Sequence, residues 1–215
     1  MRTNSVRSLM MVIFTLAIAI VLAAQAPQGA GGAPGAGGQG RGGQRGPSLT
    51  VTTTAWPDGG EVPQKHAGRG GNMSPAFDFS WVQGANPGTA PANLASYAII
   101  FHDLENPPRG TDPAHFDTLH WLIWDIPGTA TGIKEGLPMG DLPDGSKQTT
   151  TNVGRGGYFG PGAGVGPFHH YLFEFYALDT KLNLPNTATR AEVFKAMEGH
   201  VVGKAAFFGR FHATQ

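Results

Sequence analysis

YAIIFHDLENPPRGTDPAHFDTLHWLIWDIP, residues 97–127, decides how this chain folds. It holds two apolar runs, residues 97–101 and 119–126, on either side of a polar, proline-broken segment. Each run predicts a strand. Paired antiparallel, they bring Asp103 and Glu105, where the first ends, to the same rim as His120, where the second begins. A third run, residues 169–178 (HHYLFEFYAL), also opens on histidine. Asp103, His120 and His169 at three strand ends therefore mark the candidate chemistry. Tyr171, two residues beyond His169, shares its face of the strand.

The flanking segments supply the scaffold. Residues 49–55 (LTVTTTA) are rich in β-branched side chains, and residues 77–81 (FDFSW) alternate as a strand with one wet face does. Residues 205–211 (AAFFGRF) predict a last strand. One helix is predicted, opening on Thr189 with Glu192 as a capping box and ending at Gly199 or running on through Val202. Short strands, frequent turn residues and one late helix predict a mainly β fold, an antiparallel β-sandwich with a C-terminal helix over residues 48–215.

Ahead of it, residues 1–26 place Arg2 and Arg7 before an apolar run that closes on Ala24-Gln25-Ala26. This is the layout of a cleaved secretory signal peptide, with an uncleaved membrane anchor as the lesser reading. Residues 27–47 are Gly, Ala, Gln and Pro with Arg41 and Arg45, a composition with almost nothing to bury, hence a flexible linker. The folded part is thus expected outside the cytoplasm, periplasmic or secreted. Fifteen basic and fifteen acidic side chains balance, which leaves no electrostatic footprint for nucleic acid. The absence of cysteine excludes disulfides, thiolate catalysis and Cys-based zinc sites.

A carboxylate beside a histidine favours the imidazolium. Two such histidines, with backbone N–H groups of the glycine-rich residues 152–166, suit phosphate or another small oxyanion. The same glycines resemble a nucleotide-binding loop only weakly, because a strand and not a helix follows them. His102, Asp103, His120, His169 and His170 contain enough ligands for zinc. Neighbours on a strand point to opposite faces, however, so they cannot all serve one ion. A metal-dependent or acid/base hydrolase is the alternative reading, with Glu105, Asp112, Asp117 and Asp125 as carboxylates that could pair. Against it, the chain lacks a G-x-S-x-G elbow, and Ser74 before Pro75 reads as a turn residue.

These residues, in order, resemble the phosphatidylethanolamine-binding proteins, the group that includes the Raf kinase inhibitor proteins, and their bacterial branch most closely. Asn72-Met73-Ser74-Pro75 leads to Trp81, and Asp103-Leu104-Glu105-Asn106-Pro107 stands for the family's D-P-D-x-P. His120-Trp121 with Asp125-Ile126-Pro127 follows; Gly166-Pro167-Phe168-His169-His170-Tyr171 stands for G-x-H-R-[YF]. The resemblance implies a β-sandwich with a pocket for phosphate, phospholipid head groups or phosphorylated side chains. It implies ligand-binding roles for Asp103, Glu105, Pro107, His120, Gly166, His169 and Tyr171, no cofactor, and binding rather than catalysis. Docking of a partner protein over the pocket is a further possibility. The chain differs from the family pattern at Leu104, Glu105, Thr118, Phe168 and His170.

Overall fold

Alternation of apolar side chains sends one face of each long strand into the space between two sheets. In the computed structural model, which describes residues 46–106, 116–149 and 156–214, the order is β1 (Ser48–Thr52), β2 (Phe77–Gln83), β3 (Asn86–Pro87), β4 (Ser96–Asp103), β5 (Thr118–Pro127), β6 (Gly132–Ile133), β7 (Lys147–Gln148), β8 (His169–Leu178), α1 (Arg190–Met197) and β9 (Val201–Phe211). Residues 1–26, nearly all of 27–47, Pro107 and Asp112 lie outside the described residues.

One sheet runs β1-β2-β3 with β6 also on β2; the other runs β7-β5-β4-β8-β9, and every paired neighbour is antiparallel. Phe77, Phe79 and Trp81 of β2 are buried while Asp78 and Ser80 are exposed, as the alternation predicts. They meet the inner face of the larger sheet in an aromatic core. Phe101 stacks on Phe173 with ring centroids 3.9 Å apart, and Phe77 meets Phe175 edge-on at 4.9 Å. Ala98, Ile100, Leu122 and Trp124, on the opposite face, pack with Val193 and Met197 of α1 in a second apolar layer. β4 is therefore buried along its whole length, which explains why Tyr97–Phe101 reads as a continuous apolar run.

Two elements differ in extent from their sequence reading. β1 stops at Thr52, where the Thr53 hydroxyl accepts the Ala55 N–H and turns the chain. β9 begins four residues early, at Val201, because β8 offers it pairing partners along its whole length, down to Leu178↔Val201. Gly203 in that extension is required by packing, since a Cβ there would come within 2.6 Å of the Trp81 ring.

The helix opens as the sequence predicts. The Thr189 hydroxyl accepts from the Glu192 N–H at 3.2 Å, and the Glu192 carboxylate accepts the Thr189 N–H at 2.7 Å. It ends at Met197, with Gly199 in the left-handed region at φ 79°. Thr189→Ala is expected to cost about 1 kcal/mol, the usual value of an N-cap. Urea denaturation measures it, and an unchanged midpoint would show that tertiary packing alone holds this end.

Candidate functional site

Three strand ends meet at one rim because β4 lies between β5 and β8. Asp103 pairs with Thr118 on one side and with Tyr171 on the other. Its side chain follows Phe101 on the sandwich face and is fully buried. A buried carboxylate must find donors. Oδ1 accepts the N–H groups of Glu105 (3.0 Å) and Asn106 (3.2 Å), and Oδ2 accepts the Asn106 side-chain amide at 2.7 Å. His169 Nδ1 lies 2.9 and 3.1 Å from the two oxygens. The Tyr171 hydroxyl donates to the same carboxylate and accepts the N–H groups of Gly162 and Ala163, each at 3.2 Å. Burial pushes the Asp103 carboxyl up, but the bonds from His169, Glu105 N–H and Tyr171 more than reverse this and hold it below its ordinary value.

His120 reaches this rim through an irregularity. Phe101 pairs with Trp121 and His102 with Leu119, so one extra residue of β5 is left between them. Strict alternation would put His120 on the helix side with Leu122. Instead Leu119 packs in the helix layer, while His120 joins Trp121 on the sandwich face. There its ring lies 5.4 Å from Tyr171, 5.4 Å from Phe101 and 5.7 Å from Phe159. Its Nδ1 donates to the Phe159 carbonyl at 2.9 Å, which leaves Nε2 of the neutral ring as an acceptor.

This corrects the electrostatics expected from the sequence. Burial pushes the His120 imidazole below its ordinary pKa, against the opposing pull of the Phe159 carbonyl and of Asp103. His120 is therefore neutral near pH 7 and is not a source of positive charge.

A hollow of about 260 Å³ opens at this place, lined by Arg69, Asn106, Thr118, Leu119, His120, Phe159 and Gly162. Of the residues singled out from the sequence, His120 lines it. Asp103, His169 and Tyr171 form the bonded group next to it. Glu105 turns away: its carboxylate takes the His170 N–H at 2.6 Å and His170 Nδ1 at 2.7 Å. Gly166 sits on an exposed turn whose carbonyl accepts from His212 at 2.7 Å. Arg69, Asn106 and Phe159 were not found by sequence reasoning. Asn106 sits inside the quoted D-L-E-N-P stretch and Phe159 inside the glycine loop, but nothing local distinguishes Arg69.

Ligand atoms of Asp103, Glu105 and His169 lie within 4.8 Å of one another, a spacing a cation could use. Those atoms are already engaged, Asp103 by five donors and Glu105 by His170. The wider zinc set is divided between faces. His102 lies on the helix side with Nδ1 on Asp117 and Nε2 3.3 Å from Glu174, and His170 pairs with Glu105. Ser74 does not cap a turn as its place before Pro75 predicts: its Oγ accepts the Leu137 N–H at 2.8 Å, a tie to a segment distant in the chain.

Comparison with known proteins agrees with this architecture. A UPF0098 protein of Methanothermobacter thermautotrophicus is 36% identical over 164 residues, covering 76% of this chain and 98% of that one. LppC of Mycobacterium tuberculosis, whose name ranks it among candidate lipoproteins, is 30% identical over 166 residues, 76% of this chain and 72% of that one. The crystal structure of the phosphatidylethanolamine-binding protein homologue CT736 of Chlamydia trachomatis superposes with a TM-score of 0.63 at 24% identity, over 78% of this chain and 99% of that one. The family model described as phosphatidylethanolamine-binding protein matches residues 52–212. With a β-sandwich of matching topology and relatives of this branch along most of its length, the chain belongs to the phosphatidylethanolamine-binding protein family.

Proposed function

We propose that this chain is a binding protein for a small phosphorylated or otherwise anionic ligand, held in the hollow between Arg69 and His120. The observation that carries this reading is the bulge in β5, which turns His120 onto the sandwich face, where it lines one hollow together with Arg69. Arg69 supplies charge and the fork that suits phosphate oxygens. The Asn106 amide is already committed to Asp103, so it braces the wall. Nε2 of His120 accepts a hydrogen bond from the O–H of a monoprotonated phosphate, whose second pKa is about 6. Asp103 stays ionised behind Tyr171 and disfavours a fully deprotonated ligand. Free phosphate and the head group of a phospholipid both present this chemistry.

The test is titration with inorganic phosphate and phosphoethanolamine, read by the imidazole signals of His120 and His169. Both should move, and binding should tighten as pH falls from 8 to 6. His120→Ala is expected to weaken binding by about 1.5–3 kcal/mol, the scale of a charge-assisted hydrogen bond. Signals unmoved at millimolar ligand would defeat the reading. Export is proposed on the signal-peptide layout of residues 1–26, and the name of LppC supports it. Among the described residues no helix is long and apolar enough to cross a membrane. Cell fractionation decides the compartment.

A further inference from the structure

Asn72 opens the Asn72-Met73-Ser74-Pro75 motif and lines no part of the His120 hollow, yet it holds two walls that do. It closes the loop that follows the single 3-10 turn Gln64–His66 and carries Arg69. The Asn72 and Gly70 N–H groups both donate to the Ala67 carbonyl, at 3.0 and 2.9 Å, so the backbone around Arg69 is closed on itself. Asn72 itself has φ 48°, the left-handed conformation that Asn adopts more readily than most side chains. The loop is fitted against residues 158–161. The Gly68 N–H donates to the Pro161 carbonyl at 2.8 Å, and the Tyr158 hydroxyl donates to the His66 carbonyl at 2.9 Å. A Cβ on Gly160 would fall 1.9 Å from the His66 carbonyl oxygen, so the two backbones touch.

The Asn72 side chain reaches both sides of Phe159. A trans peptide unit is planar, and its C=O and N–H point opposite ways. In the unit joining Tyr158 to Phe159, the carbonyl accepts Asn72 Nδ2 at 3.4 Å and the N–H donates to the His120 carbonyl at 3.2 Å. In the unit joining Phe159 to Gly160, the N–H donates to Asn72 Oδ1 at 2.9 Å and the carbonyl accepts His120 Nδ1 at 2.9 Å. Each unit is therefore held by Asn72 at one end and by His120 at the other. A side-chain amide suits this place because it offers one donor and one acceptor together. The direction of the Phe159 carbonyl selects the His120 tautomer, and the Gly160 N–H, held at the far end of the same plane, sets that direction.

We propose that Asn72 is a positioning residue for the His120 hollow: through the two peptide units around Phe159 it keeps the His120 proton on Nδ1, leaving Nε2 as the acceptor, and it ties the Arg69 loop to the same segment. Its effect on a ligand rests on the anion-binding reading above, whereas its effect on the tautomer stands apart from that reading. Ser74, two residues on in the same motif, bonds to the Leu137 N–H instead and supplies the control.

The experiment reads the His120 ring by imidazole nitrogen NMR of the full chain at about pH 8, above the ordinary histidine pKa, with the signals assigned through His120→Gln. The wild type should show Nδ1 protonated. Asn72→Gly removes the amide and accepts the left-handed backbone without strain. It should move His120 to the mixed pattern of a free imidazole and weaken inorganic phosphate about tenfold, the scale of one hydrogen bond. Asn72→Asp keeps an acceptor for the Gly160 N–H and should retain the wild-type tautomer. Ser74→Ala should lower the melting temperature and leave the tautomer alone. A wild-type tautomer in Asn72→Gly, an Asn72→Asp no different from Asn72→Gly, the same change in Ser74→Ala, or phosphate affinity unchanged when the tautomer changes would each overturn the proposal. A wild type that binds no phosphate would instead defeat the anion-binding reading, and the tautomer series would still decide whether Asn72 sets His120.

Discussion

Asp103→Ala is expected to lower stability at pH 7 by about 3 kcal/mol, the scale of removing one partner from a buried, bonded charge. The loss comes from what stays behind. The N–H groups of Glu105 and Asn106, the Asn106 amide and the Tyr171 hydroxyl all aim at an oxygen that is gone, while His169 can turn to water. Asp103→Asn keeps the shape but turns an NH2 group toward donors, so it should fall between the two. The pH dependence carries a sign. The folded pKa of Asp103 is depressed, so its contribution is fully present above the unfolded value of about 3.8 and is lost as pH falls through the folded one. Urea midpoints of wild type and Asp103→Ala should thus lie far apart at pH 7 and converge below about pH 4. A difference under about 1 kcal/mol at pH 7 would show that the carboxylate is not the rim's structural centre.

That centre was legible along the chain, for physical reasons that also mark where legibility stops. A buried strand announces itself by a continuous apolar run, and the polar residue that ends it lands at a sheet rim; Asp103, His169 and Tyr171 were found this way. The helix start was legible because Thr189 and Glu192 satisfy each other's neighbours locally. β6 and β7 were not, since two residues carry no periodicity. The bulge at His120 is equally silent: nothing in T-L-H-W-L says that one residue will be left over in the pairing. The charge of His120 was misjudged because proximity of a carboxylate is visible in a motif, whereas depth of burial is a property of the assembled sandwich. Arg69 is brought to the hollow by a loop between β1 and β2, far from every residue that signals the site.

On the helix side of the same rim, Asp117→Ala is expected to cost about 3–5 kcal/mol at pH 7, the range for breaking a buried ion pair. The Asp117 carboxylate takes Arg190 through two nitrogens, at 2.5 and 3.0 Å, and His102 Nδ1 as well. Arg190 and His102 are both buried, so removing the carboxylate takes a shared anionic partner from two cations, one on α1 and one on β4. Burial alone pushes His102 down, but hydrogen bonds to Asp117 and Glu174 outweigh it and the neighbouring Arg190, and the folded pKa is raised. A raised histidine stabilises fully below its unfolded value of about 6.5, and that stabilisation disappears as pH climbs through the folded pKa. Glu174 works in the other direction. Burial pushes its carboxyl up, yet His102 and Lys204 bring it down to about 2, so its contribution holds above its unfolded value and fades as pH drops toward 2. Asp117, held still lower by His102 and Arg190 against burial, fades likewise in acid. His66 and His120, both depressed by burial, erode stability below about pH 6.5 and would mask the effect in the wild type alone. His102→Gln isolates it: melting temperature of the wild type should decline relative to that variant as pH rises from about 6 to 9. Parallel profiles across that range would mean that His102 is neutral between its two carboxylates, and that Arg190 alone holds Asp117.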